Sequence, residues 1–169
     1  MRSSCRAASL AKTSTRVSFE AGGKPAPCGM VEGLVNRNRH PEARAWLGAA
    51  QFIEVLKAGL PVMELEVLQA SLGLPMDKLV PKLGMSKATF HRRKIQGRLG
   101  REESDHVLRF ARLMGKATEV FESEQNALLW LASAQIGLGG ATPLDYAETE
   151  VGSREVEDLL GRIEYGVYS

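Results

Sequence analysis

Between Lys78 and Arg101 the chain carries eight Lys or Arg residues and no Asp or Glu, laid over a pattern that predicts two short helices and a sharp turn. Met76 to Leu83 reads as the first helix, with Leu79, Val80 and Leu83 on its apolar side. Gly84 supplies the positive φ that a tight stop needs. Ser86 can accept a hydrogen bond from the free amides of the next turn. From Lys87 a second helix starts, with Phe90 as its anchor. Short helix, glycine turn and Ser-capped basic helix outline a helix-turn-helix over about residues 76–95. The bland alternative is a helix pair that is basic because it is solvated. Pro81 runs against the standard motif, since inside the first helix it removes a hydrogen bond and should kink the helix or move its start. Arg93 and Lys94 also stand where an apolar residue would usually help Phe90, which leaves Ile95 as the candidate for that task.

In such a motif the N-terminal turns of the second helix enter the major groove. With Phe90 inward and Ser86 as the cap, Lys87, Ala88, His91 and Arg92 fall on the outer side. Thr89, Arg93, Lys94 and Arg98 are placed for backbone phosphates. Cations fixed near phosphate release condensed counterions, so the affinity is expected to be salt-sensitive. Lys87 and Arg92 are the expected readers of base edges, because Lys and Arg suit the two acceptors of guanine.

The net charge of +2 on 169 residues hides a division. Residues 1–40 hold seven Lys/Arg against two Asp/Glu, residues 41–100 nine against five, and residues 101–169 six against thirteen. A basic part for nucleic acid and an acidic part for another partner is the reading this invites. Cys5 and Cys28 are far from any ligand set, so neither a disulfide framework nor a metal site is expected. The three histidines are scattered and no nucleophile–base or paired-carboxylate spacing recurs, so an enzyme is not expected, nor any cofactor. No apolar run approaches the roughly 18–20 residues of a membrane span, and a soluble cytoplasmic protein is the default.

In chain order, residues 1–40 lack periodicity and predict a disordered basic arm, with Met30 as an alternative start. Their Arg- and Ser-rich, acid-poor composition also resembles a transit peptide, but no clear amphipathic helix supports that. From Pro41 helical spacing sets in through Trp46, Ile53 and Leu56 to Gly59. A second stripe of Val62, Leu65, Leu68 and Leu72 ends at Gly73. These two helices complete a core or form a dimer contact, and the core is the safer reading. The longest helix is predicted from about Glu102 to Phe121, with Val107, Phe110, Ala111, Met114, Ala117 and Phe121 as its stripe and Asp105 and Arg109 on its outer face. Ser123 can cap a helix carrying Ala127, Trp130, Leu131 and Ala134; Gly139 and Gly140 permit a reversal. After a short helix from Pro143, the last one starts near Gly152-Ser153 with Val156, Leu159, Leu160 and Ile163 inward. No segment alternates with period two, so the fold class is all-α.

Laid out this way, the chain resembles the Xre/MbcA/ParS family of type II antitoxins, which pair with RES-domain toxins in bacteria. The likeness covers roughly Val55 to Tyr168. Its first part is Gly84-Met-Ser-Lys-Ala-Thr-Phe-His-Arg-Arg-Lys94, running into Gly97-Arg-Leu and Glu103-Ser-Asp105; His106 stands where a family Arg would be expected. The more specific part is Trp130-Leu131, Leu138-Gly-Gly140, Thr142-Pro-Leu-Asp145, Thr149-Glu-x-Gly152 and Val156-x-x-Leu-Leu-x-Arg-Ile-Glu-Tyr-Gly-Val167.

The resemblance implies a helix-turn-helix domain over 41–121 that binds operator double-stranded DNA and represses its own operon, then a helical toxin-binding domain over 122–169. The family's toxins degrade NAD, and the antitoxin's C-terminal end covers their active site. Carried onto this chain, that segment is Arg154, Arg162, Glu164, Tyr165, Gly166, Val167, Tyr168 and Ser169. A homodimer is the expected assembly. Tyrosine gives large contact area at low entropy cost, which suits insertion into a cleft; the bland alternative is a frayed end covering the chain's own core. A stand-alone helix-turn-helix repressor is the alternative function.

Overall fold

The computed structural model describes residues 29–35 and 49–167, and every regular element among them is helical. The helices are α1 (Met30–Val35), α2 (Ala49–Ala58), α3 (Val62–Leu72), α4 (Met76–Lys82), α5 (Lys87–Gln96), α6 (Arg101–Phe121), α7 (Glu124–Ala132), α8 (Pro143–Tyr146) and α9 (Glu150–Glu164), with a 3-10 turn at Ile136–Leu138. The one β-type contact among the described residues is an isolated bridge between Pro61 and Arg98. The predicted start of a helix at Pro41 and its Trp46 lie outside the described residues.

Local chemistry explains most boundaries. Ser86, Ser123, Thr142 and Thr149 each cap a helix by accepting from a backbone amide one turn on. The Thr149 cap starts α9 at Glu150, a little before the predicted start at Gly152. Gly84 turns the chain between α4 and α5 at φ 70°. Pro81 lies within α4 without displacing either end. It forfeits only the bond to the Asp77 carbonyl, and both residues are exposed, so water can serve that carbonyl.

α6 organises the molecule. It packs on α1, α2 and α3 and also on α7 and α9. The predicted stripe of Val107, Phe110, Ala111, Met114 and Ala117 is buried, but so are Leu108 and Leu113 on other sides of the helix. One core results, in which Leu65, Leu68 and Leu79 join Leu131, Val156 and Leu160 through α6. The expected division at residue 121 therefore does not divide the core. Each fully buried Leu or Phe contributes about 1.5–3 kcal/mol relative to exposure. Phe121 closes the far end against Trp130, with ring centroids 5.6 Å apart. Ala134, assigned to the α7 stripe, is exposed because that helix has already ended at Ala132.

The expectation of a disordered arm over residues 1–40 is corrected within its described part. Residues 30–35 form α1, which buries Met30, Val31 and Val35 against α3 and α6. Its polar anchor is Glu64, only 2% exposed, on α3. One carboxylate oxygen accepts from the amides of Gly29 and Met30, and the other accepts from Val31 at 2.8 Å. A buried carboxylate is tolerable when amides at a helix start satisfy it. Glu64→Ala is therefore expected to lower stability by about 2–3 kcal/mol, read from the urea midpoint, with Glu64→Gln recovering part because an amide accepts through one oxygen only.

Candidate nucleic-acid interface and C-terminal surface

α5 is held on one side and open on the other. No residue of this helix is fully buried. Its anchors are half-buried Phe90 and the buried Leu83, Met85 and Leu99 that flank it in sequence. Ile95 does not assist Phe90, contrary to expectation: it is 77% exposed. Five residues carry it about 140° around the helix from Phe90.

Lys87, Ala88, His91, Arg92 and Lys94 are all exposed, as the outward assignment requires. Ser86 caps the helix, accepting from the Thr89 amide at 3.1 Å, and its Oγ lies 3.0 Å from the Thr89 hydroxyl. Lys87 sits 3.4 Å from Asp77, a pair so exposed that salt screens it. Among the described residues, neither Arg92 nor Lys94 is paired with a carboxylate.

Two cations assigned to phosphates are used inside the protein instead. Arg93 donates from Nε to Glu103 at 3.0 Å and from a terminal nitrogen to Gln96 at 3.2 Å. Glu103 in turn accepts from the Gly100 amide, so Arg93 helps set the start of α6. Arg98 donates to the carbonyls of Gly59 and Ala58 at 3.2 and 3.4 Å, closing the loop before α6 onto the end of α2. The sequence signal was available for Arg93, because it stands on the Phe90 side of the helix.

The turn is tied to the C-terminal part from beneath. Lys82 binds Asp145 and lies 3.7 Å from Glu148. The Lys82 hydrogen bond, then that of Thr142, hold the Asp145 carboxyl below its ordinary range. Arg109, expected on an outer face, is buried. It reaches Asp105 at 2.7 Å on its own helix and Glu150 at 3.1 Å on α9. His106 packs under the turn, with Cε1 3.6 Å from where a Cβ on Gly84 would lie.

At the other end α9 is seated by Gly152, where a Cβ would meet the Tyr146 carbonyl at 1.8 Å. The helix closes with Gly166 left-handed at φ 66°. Gly166 donates to Ile163 and Val167 donates to Arg162 at 2.9 Å, the double bond of a Schellman cap. The described end is thus a defined turn, and Tyr165 is 80% exposed on it, away from the chain's own core. A shallow groove lies beside it, lined by Glu155, Asp158, Gly161, Arg162, Tyr165 and Val167. Glu164 is exposed, and Arg154 donates to Glu150 at 3.2 Å. Tyr168 and Ser169 lie outside the described residues. Five exposed apolar side chains went unremarked in the sequence: Met63 on α3 and, in the C-terminal part, Leu129, Ile136 (99% exposed), Tyr146 and Val151. Leu128-Leu129-Trp130-Leu131 was the available signal, since four consecutive large residues on a helix cannot all face inward.

With this geometry in place, two comparisons bear on identity. Residues 51–112 match the antitoxin Xre-like helix-turn-helix domain, and residues 116–166 match the antitoxin Xre/MbcA/ParS C-terminal toxin-binding domain. Antitoxin Xre of Yersinia enterocolitica is 33% identical over 119 residues, covering 69% of this chain and 80% of the relative. The chain belongs to the Xre/MbcA/ParS antitoxin family. Antitoxin Xre of Photorhabdus laumondii is 31% identical over 117 residues, covering 68% of this chain and 79% of the relative. A Sphingobium protein named Prs ADP-ribosylating antitoxin is 26% identical over 127 residues, covering 69% and 80%. In this Xre-family chain, α4 and α5 lie within the matched helix-turn-helix domain, and the surface from α7 to Gly166 lies within the matched toxin-binding domain.

Burial first, and Arg109 second, lower the His106 imidazole below its ordinary value, against the opposing pull of Asp105 and Glu102. The unfolded chain then binds the proton more readily, so stability is full above the ordinary imidazole value and falls as pH drops through it. The urea midpoint is expected to fall between about pH 7.5 and 5.5, and His106→Gln is expected to flatten that dependence.

Proposed function

We propose that this antitoxin neutralises a RES-domain, NAD-degrading toxin by covering its active site with the end of α9 and the segment from Glu164 to Ser169, and represses its own operon through α5. The observation that carries this reading is Tyr165, a large aromatic held out into solvent by a capped turn at the end of the toxin-binding domain. Aromatic anchors of this kind dominate binding energy when a partner's pocket desolvates them. Arg154, Arg162, Gly166, Val167 and Tyr168 complete the proposed contact, and exposed Leu129, Ile136 and Val151 extend the apolar area available to a partner. ADP-ribose is transferred from NAD, so the name of the Sphingobium relative agrees with an NAD-using partner.

On the DNA side, Ser86, Lys87, Ala88, Thr89, His91, Arg92 and Lys94 form the proposed operator surface. Arg93 and Arg98 contribute by holding α5 rather than by reaching phosphate. A homodimer in the cytoplasm fits this, because helix-turn-helix dimers read two half-sites one helical turn apart.

Co-expression with the neighbouring toxin gene, scored by growth, and operator binding, scored by mobility shift, separate the two activities. Lys87→Ala with Arg92→Ala is expected to weaken operator binding by about tenfold or more while growth protection persists. Loss of both activities in a folded variant would contradict separate surfaces. Deleting residues 165–169 is expected to abolish protection with DNA binding retained. Continued protection by the truncated chain would remove the tail from the mechanism.

A further inference from the structure

The open side of α5 carries one residue that its surroundings do not explain. Ile95 is 77% exposed on a helix whose other outward side chains are polar, charged or alanine. Lys94 and Gln96 flank it in sequence, and both are exposed, so it does not belong to an apolar patch of that helix. Its helical register is informative. Ala88, His91, Arg92 and Ile95 stand at i, i+3, i+4 and i+7, which aligns them along one edge of the helix. Homeodomain recognition helices use the same spacing to reach bases in the major groove.

We propose that Ile95 is a specificity-determining residue that packs on the C5-methyl group of a thymine in the major groove of the operator. The proposal rests on the reading of α5 as the operator-binding helix and adds to it a base identity at one position. The groove offers a single apolar feature, the thymine methyl, set between walls of phosphate. An isoleucine flanked on its helix by exposed cationic and polar side chains complements that arrangement. Lys87, Arg92 and Lys94 meet the phosphates or guanine, and Ile95 meets the methyl. A contact with a second copy of the chain would call for a continuous apolar surface, which α5 does not offer. Ala88, at the start of the same edge, is small enough to let the helix approach closely.

The test uses the full-length protein and a duplex selected from random DNA for tight binding, with each thymine replaced in turn by deoxyuridine. One replacement is expected to lower the affinity of the unaltered protein roughly fourfold, the loss of one buried methyl. That same replacement is expected to have no effect on Ile95→Ala, whose affinity for the thymine duplex is already reduced by a similar factor. The slope of log affinity against log salt is expected to be equal for both proteins, since no charge is removed. Ile95 is exposed, so the variant is expected to melt with the unaltered protein, and circular dichroism checks this. If no deoxyuridine matters, or if it matters equally in both proteins, Ile95 does not read thymine although α5 binds DNA. If the unaltered protein shows no salt-sensitive duplex binding, the operator reading itself falls and this proposal with it.

Discussion

The whole arrangement depends on α6 being buried on more than one side. An amphipathic helix on the surface of a small domain needs only one apolar stripe. In α6 the buried positions include Ser104, Leu108, Leu113 and Gly115 beside the main stripe, and even Arg109. The helix is covered by α1, α2 and α3 and by α7 and α9. A DNA-facing part and a toxin-facing part thereby share one core, with α6 as their common wall. Displacing either part would expose the same helix.

Polar ties reinforce the seam where the two parts meet. Lys82 at the end of α4 binds Asp145 on α8, and Arg109 on α6 binds Glu150 on α9. These pairs are partly screened and individually modest. Their placement matters more than their strength, because Lys82 belongs to the helix-turn-helix and its partners to the toxin-binding domain. His106 fills the space below the Gly84 turn, where neutral imidazole packs better than the charged form. The basic helix is thus mounted on a support that is itself in contact with the C-terminal part.

Cations in α5 sort by what the fold asks of them. Arg93 and Arg98 are consumed in holding the helix and the following loop, since each finds acceptors on the buried side of the motif. Lys87, Arg92 and Lys94 face solvent instead. At the opposite end the chain uses a backbone device: the Gly166 cap closes α9 and leaves Tyr165 outward. Charge marks one exposed surface and an ordered aromatic marks the other.

Much of this was legible in the linear chain because it is encoded locally. Periodicity placed α3, α4, α6 and α9, and Gly84, Ser86 and Ser123 marked a turn and two caps through chemistry confined to a few residues. The motif runs that resemble the Xre/MbcA/ParS family likewise need no coordinates. What only the tertiary structure decided are the relations between distant segments. Glu64 reads as one more surface acid until the amides of residues 29–31 arrive to satisfy it. Arg109 reads as half of an exposed helical pair until α9 lies across it. Ile95 reads as a core residue until the position of Phe90 turns it outward. In each case the residue's role is set by which element packs against it, and a helical period reports which face is apolar without reporting what will cover it.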